Sequence, residues 1–137
     1  MRNELISQRN AAFLRTYRHL RHARSRGDAP TATQAQIIDE ALRRPAPYYY
    51  VSYPLAIRNI HRLRQGRPIP GSADHRALFA ELLQRIDALR QRPSRRPLTD
   101  GQALSRILAD GHASRIFLNR RTAARILQRS NNENLKL

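Results

Sequence analysis

Cysteine is absent from the 137 residues, which excludes disulfide bridges, a thiol nucleophile and a zinc site built on cysteine thiolates. Tryptophan is also absent and phenylalanine occurs three times, so the core has to be built mainly from aliphatic side chains. No apolar run approaches the roughly 18 residues of a membrane span, and the first residues, MRNELISQRNAAFL, lack the apolar segment and cleavage site of a signal peptide. The sequence therefore predicts a soluble, cytoplasmic protein.

Negative charge is scarce. Ten acidic residues stand against 26 basic ones, which gives a formal net charge of +16. Lys136 is the only lysine, so arginine supplies almost all of the positive charge. A GC-rich genome also favours arginine over lysine, but it does not explain the net charge. Because the guanidinium group pairs bidentately with phosphate and with guanine, this basic protein is expected to have a polyanionic partner.

Apolar residues recur at helical spacing along almost the whole chain, in segments separated by proline and glycine. This pattern predicts an all-α protein with about six helices in one compact domain over residues 1–137. The last helix is expected to be followed by a flexible tail over residues 131–137. The first predicted helix ends at Arg26–Pro30, the second runs from a capping box at Thr33 through Arg43, and the third is capped by Ser52. The fourth covers about Asp74 to Arg92, and the fifth runs from a capping box at Thr99 to about Asp110. The sixth is capped by Asn119 and reaches about Ser130.

Two segments share one pattern at a spacing of 67 residues, the distance from Ala46 to Ala113. APYYYVSYPLAIRNI and ASRIFLNRRTAARIL have three identities, and in both an aromatic, an aliphatic and an N-cap residue follow in that order. A short capped helix precedes each copy. The sequence therefore predicts an internal repeat of two helix–extended–helix units, over about 33–66 and 99–130. The units are helix-turn-helix-like, although the connection is longer than the usual turn.

The repeated residues resemble an uncharacterised family of small Bacteroidetes proteins with a duplicated Pro-Ala-Pro-x-Phe-Tyr-aliphatic-Ser/Thr motif. PAPYYYVS, ending at Ser52, fits this motif with Tyr49-Tyr50 at the Phe-Tyr positions. The second copy departs from it, with His112-Ala113-Ser114 in place of Pro-Ala-Pro and Ile116 at the first aromatic position. The resemblance covers roughly residues 34–127. It implies a duplicated unit and no particular activity.

Four of the five tyrosines lie between residues 48 and 53. They are interpreted either as a surface on which unpaired bases stack, worth about 1–3 kcal/mol per base, or as apolar contacts that seat the following helix. Phe117 and Leu118 keep an apolar character where the first copy has Tyr50 and Val51, so we expect Tyr50 to belong to the core. The role of Tyr48, core or exposed contact, stays open.

The sixth predicted helix carries the side chains expected of a contact with duplex DNA. Arg121, Arg125 and Gln128 share one side of its helical wheel, opposite the aliphatic residues of the helix. Arginine, glutamine and asparagine contact base edges and phosphates. The third helix, which is poorer in donors at its start, is expected to serve packing or to position phosphates through Arg58 and Arg62. The candidate nucleic-acid-binding residues are Asn119, Arg120, Arg121, Thr122, Arg125, Gln128, Arg129, Arg58, Arg62 and Tyr48.

A catalytic role is not expected. His19 and His22 share a helix face but lack a third metal ligand, and the chain has no glycine-rich phosphate loop. We therefore expect no catalytic or metal site, no cofactor and no membrane partner. The predicted function is non-enzymatic nucleic-acid binding, with DNA ahead of RNA. Two alternatives stay open: binding of RNA or single strands through the segment Tyr48–Tyr50, and a basic protein-interaction or structural module with an acidic partner.

Overall fold

The structure, a computed structural model, describes residues 2–25 and 32–135. In this part of the chain it contains six α-helices and no strand, so the predicted all-α class is confirmed. The helices are α1 (Arg2–Ser25), α2 (Gln34–Arg43), α3 (Tyr53–Arg64), α4 (Ala73–Arg90), α5 (Asp100–Asp110) and α6 (Arg120–Leu135).

Helices α2 and α5 begin at the two capping boxes that the sequence predicts. In α2, the Thr33 hydroxyl accepts a hydrogen bond from the Gln36 amide at 3.2 Å, and the Gln36 side chain accepts one from the Thr33 amide at 2.9 Å. Thr99 and Gln102 make the same pair of bonds at 3.1 and 3.0 Å. Each box satisfies backbone donors that a helix leaves without partners in its first turn.

Helices α3 and α6 have the predicted single-residue caps. The Ser52 hydroxyl accepts a hydrogen bond from the Leu55 amide at 3.4 Å. The side-chain oxygen of Asn119 accepts one from the Thr122 amide at 2.7 Å. These short-range signals set where both helices begin.

The predicted C-terminal tail is wrong over residues 131–135, where α6 continues to Leu135. No proline or glycine follows Ser130 to end the helix, and Arg18 of α1 donates a hydrogen bond to the Ser130 hydroxyl at 2.8 Å. Residues 136 and 137 lie outside the described residues, as does the predicted end of the first helix at Arg26–Pro30. Helix α4 ends slightly earlier than expected, at Arg90.

The chain divides into two compact units with three helices each. The terminal unit comprises Met1–Ala46 and Ala113–Leu137, and in it α1, α2 and α6 pack against one another. The central unit comprises Pro47–His112, and in it α3, α4 and α5 pack against one another. The two compact units therefore cut across the predicted repeat units, because α2 packs with α6 and α3 packs with α5.

Each unit has an aliphatic core with a few aromatic rings, as the composition requires. Burying a large apolar side chain stabilises the folded state by about 1.5–3 kcal/mol relative to leaving it exposed. The largest fully buried side chains are Phe13 and Ile38 in the terminal unit, and Ile60, Phe79, Leu82, Ile86 and Leu104 in the central unit.

The expectation that Tyr50 belongs to the core is wrong, because Tyr49 is the buried one of the four tyrosines between residues 48 and 53. Tyr49 is 3% exposed, whereas Tyr50 is half-buried and has a positive φ of 49°. The alternation of side chains in an extended segment does not extend through a residue in the left-handed region. Ile116, at the equivalent position of the second predicted repeat, is also buried.

A network of hydrogen bonds holds the Tyr49 hydroxyl inside the central unit. The Arg85 guanidinium donates to this hydroxyl at 2.7 Å and to the backbone carbonyl of His112 at 2.7 Å. Burial raises the pKa of Tyr49 to about 12, with Glu81 acting in the same direction and Arg85 against it. The ring is thus a structural part of the central unit, with no exposed surface on which a base could stack.

Candidate nucleic-acid interface

Helix α6 packs in the terminal unit through its apolar side. Ala123, Ile126 and Leu127 are buried there, and the helix packs on α1 and α2. The opposite side points outward because successive residues of a helix are rotated by about 100°. We call this side, formed by Arg121, Arg125, Gln128 and Arg129, the outer face of α6; all four side chains are exposed.

Two candidate residues at the start of α6 have structural roles. The Asn119 side chain accepts the amide hydrogen of Thr122, and Thr122 itself is half-buried. The carboxamide oxygen of Asn119 therefore caps the N-terminus of α6 and lies apart from the outer face.

Arg120 is exposed but paired with a carboxylate of α2. Its Nε donates to the Asp39 side chain at 2.8 Å, and its Nη2 donates to the second Asp39 oxygen. The hydrogen bonds from Arg120 hold the pKa of Asp39 below its usual range, while desolvation acts in the opposite direction. The pKa of Arg120 is raised by the same pairing. This arginine fastens α6 to α2.

The neighbouring acid on α2 is also engaged. Glu40 accepts hydrogen bonds from Arg24 of α1 and from Arg44, the latter at 3.0 Å. These contacts lower the pKa of Glu40, with the Arg24 bond as the largest cause. Two carboxylates of α2 thus pair with three arginines of the terminal unit.

The arginines of the outer face have no such partner among the described residues. Within the described part of the chain, Arg121, Arg125 and Arg129 make no ion pair. The acidic residue nearest to them on the helix is Glu133, one turn beyond Arg129. Three guanidinium groups with free donors on one side of one helix form a surface suited to an anionic partner.

Packing adds one arginine that the sequence did not indicate as a site residue. Arg18 of α1 lies beside the C-terminal half of α6, where its guanidinium donates to the Ser130 hydroxyl at 2.8 Å. Helical periodicity identifies Arg18 as a surface residue only. No local signal joins two residues that are 112 positions apart.

The other three candidates belong to the central unit. Arg58 is exposed on α3, and Arg62, one turn later, is half-buried. Tyr48 is 55% exposed, with its ring edge against Tyr50 at a centroid distance of 6.0 Å. Because Tyr49 is buried, the segment Tyr48–Tyr50 offers one largely exposed ring in place of a row of stacking surfaces.

No other kind of site is evident in the described residues. No group of three or more histidine and acidic side chains is placed to hold a metal ion, and His19 and His22 are both exposed on α1. Among the described helices, none combines the length and apolar character needed to cross a lipid bilayer.

No protein-family model, curated protein or solved structure matches this chain. The resemblance to small Bacteroidetes proteins therefore stays a prediction, and a functional assignment has to rest on the chemistry of the surface itself.

Proposed function

We propose that the protein binds duplex DNA without catalysing a reaction, and that α6 is the helix that enters the major groove. The observation that carries this proposal is the outer face of α6. Its arginines are exposed, lie on one side of the helix and have no carboxylate partner among the described residues, whereas Arg120 and Arg24 are paired with acids of α2.

The dimensions of α6 suit this role. An α-helix with its side chains is about 10–12 Å wide, and the major groove of B-DNA is about 12 Å wide. With 16 residues, α6 is about 24 Å long. Helices α1 and α2 support it from the buried side, so the outer face meets no obstruction from the helices on which α6 packs.

The supporting helix differs from that of a sequential helix-turn-helix. In that motif, the helix preceding the recognition helix packs against it. Here α2, which is the short helix of the first predicted repeat unit, packs against α6, the long helix of the second. The proposed DNA-binding unit is thus built from helices that are distant in sequence.

The test is a salt titration of duplex binding by the full chain. Binding through phosphates gives a slope of about −0.9 in log K against log salt for each phosphate contacted. We expect a steep slope for the wild type. The double variant Arg121→Gln/Arg125→Gln should bind at least about tenfold more weakly, since each good contact is worth about 1–3 kcal/mol.

The matched control is Arg95→Gln/Arg96→Gln, which removes the same charge from the exposed loop of the central unit. Circular dichroism checks that both variants keep the helical fold. Binding that is undetectable or insensitive to salt overturns the proposal, and so does an equal loss in both variants. Copurification of a protein partner that survives nuclease treatment, together with absent DNA binding, would instead favour the acidic-protein alternative.

A second candidate function, binding of unpaired bases, is favoured by one observation, the exposed ring of Tyr48. Loss of one stacking contact costs about 1–3 kcal/mol. Tyr48→Ala should therefore weaken binding of single-stranded RNA or DNA by roughly fivefold or more and leave duplex binding unchanged. Tyr48→Phe, which keeps the ring, is the control. Equal single-strand affinity for Tyr48→Ala and the wild type eliminates this candidate.

A further inference from the structure

Helix α6 carries a stripe of four polar side chains on its outward side. Arg121, Arg125, Gln128 and Asn132 follow one another at intervals of four, three and four residues, which keeps them within about 60° of each other around the helix. Asn132 belongs to this set because α6 continues past Ser130 to Leu135. We call these four residues the outer stripe.

Every side chain of the outer stripe is exposed. None of them makes a hydrogen bond or an ion pair with another described residue. By contrast, other polar side chains of α6 are engaged, with Arg120 on Asp39 and Ser130 on Arg18. The donors and acceptors of the stripe therefore face outward without a partner in the described chain.

The chemistry of the stripe matches base edges in the major groove. Arginine donates two hydrogen bonds to O6 and N7 of guanine, and glutamine or asparagine pairs bidentately with N6 and N7 of adenine. Carboxamides also donate to phosphates, but those of Gln128 and Asn132 add no charge attraction there, whereas each can pair bidentately with an adenine edge. From Arg121 to Asn132 the helix rises about 16 Å, roughly the length of five stacked base pairs.

We propose that α6 recognises a specific DNA sequence through the outer stripe. Arg121 and Arg125 contact guanines, and Gln128 and Asn132 contact adenines further along the groove. Arg129 and Arg18, beside the stripe, contact phosphates. The positive charge of the surface supplies complementarity to the duplex, while the two carboxamides supply a preference for particular bases. This inference rests on the proposed binding of duplex DNA.

The test is selection of bound duplexes from a random library by the full chain, followed by affinity measurements on the selected site and on a scrambled duplex. We expect the selected sites to share guanines and adenines within about five base pairs. Gln128→Ala and Asn132→Ala should each reduce the preference at one adenine by roughly fivefold or more. Affinity for the scrambled duplex and the salt slope should stay unchanged, because no phosphate contact is lost.

Asn131→Ala provides the matched control, since Asn131 is an exposed asparagine on the same helix that lies about 60° beyond the edge of the stripe and about 100° from Asn132. It should leave the base preference intact. Salt-dependent binding without any shared sequence overturns the inference while the proposed function stands. Equal effects of Asn131→Ala and Asn132→Ala also overturn it. Absence of any duplex binding removes the proposed function and, with it, this inference.

Discussion

The backbones of Ala46 and Ala113 are joined by two hydrogen bonds. The Ala46 amide donates to the Ala113 carbonyl at 3.0 Å, and the Ala113 amide donates to the Ala46 carbonyl at 2.9 Å. Both residues are buried and occupy equivalent positions in the two predicted repeats. Within the terminal unit, this antiparallel bridge ties the chain that leaves α2 to the chain that leads to α6.

Loss of one donor from this bridge should destabilise the terminal unit. Ala113→Pro removes the amide hydrogen and leaves the buried Ala46 carbonyl without its partner, which is expected to lower the free energy of unfolding by about 3 kcal/mol. Ala113→Gly keeps the amide and should cost about 1 kcal/mol. Urea denaturation followed by circular dichroism measures both. A proline variant as stable as the glycine variant would show that the bridge contributes little.

Tyr48 and Tyr49 should respond very differently to truncation. Tyr49→Ala removes a buried ring and its hydroxyl contact with Arg85, so we expect a loss of about 3–5 kcal/mol in the free energy of unfolding. Tyr48→Ala, at an exposed ring, should change stability by less than about 0.5 kcal/mol. Urea titration of the two variants gives the comparison, and similar losses would contradict the placement of these rings.

Stability should fall in alkaline solution because of Tyr49. Its pKa is about 12 in the folded protein, above the value of about 10 in an unfolded chain. The folded state therefore retains the hydroxyl proton after the unfolded state has lost it. The stabilisation of the folded protein by Tyr49 is complete below pH 10 and is lost as the pH rises towards 12. The difference in unfolding free energy between the wild type and Tyr49→Phe should narrow over this range. A constant difference would contradict the expected linkage.

Asp100 should stabilise the central unit through two arginines. Arg64 and Arg90 each donate to its carboxylate at 2.8 Å, and the Arg64 bond is the main reason why the pKa of Asp100 lies below its usual range. Asp100 also lies in the first turn of α5, where negative charge is favourable. At neutral pH, Asp100→Asn should cost about 1–2 kcal/mol.

The stabilisation by Asp100 depends on pH in a defined direction. It is complete above the pKa of about 3.9 that an aspartate has in an unfolded chain, and it disappears as the pH falls through the lower pKa of Asp100 in the folded protein. Asp110→Asn, at the opposite end of α5, should cost less at pH 7 because Asp110 is exposed there and negative charge is unfavourable at a helix C-terminus. Denaturation at pH 7 and in acid measures both. Equal costs for the two variants at pH 7 would argue against the role of the arginines.

Release of Arg120 should strengthen duplex binding. Asp39→Asn removes the carboxylate that holds this guanidinium and leaves it available to a phosphate beside the outer face of α6. One added phosphate contact should steepen the salt slope by about 0.9. Asp110→Asn adds the same net charge to the central unit and serves as the control. Fluorescence anisotropy over a range of salt concentrations gives the salt slope of each variant. Identical slopes for Asp39→Asn and Asp110→Asn would show that Arg120 is not near the DNA.

Local signals account for the helix starts and the helix sides that the sequence predicts. The capping boxes at Thr33 and Thr99 act between a side chain and an amide three residues away, so the sequence contains both partners. The division of α6 into an apolar side and a basic side follows from helical geometry in the same way. In each case the information lies within a few turns of one helix.

The sequence does not indicate the features that depend on contacts between residues distant along the chain. The choice of Tyr49 over Tyr50 as the buried ring depends on Arg85, which reaches the Tyr49 hydroxyl from α4. The neutralisation of Arg120 depends on Asp39, 81 positions earlier in the chain. Neither contact leaves a periodic pattern, because a hydrogen bond between distant segments depends on how helices pack and not on spacing along one of them.

Propensities, caps and charges act locally or add up along the chain. They account for the helical class, the start of most helices, the apolar sides of the helices and the strong positive charge. The pairing of α6 with α1 and α2, and of α3 with α4 and α5, becomes apparent only in the packed protein. The apolar sides of the six helices have similar compositions, so the sequence does not indicate which of them pack together. Their pairing is selected by the shapes of the surfaces that pack and by the polar contacts that form around them. That packing leaves the outer face of α6 exposed and without an ion-pair partner among the described residues, which is the basis of the proposed DNA contact.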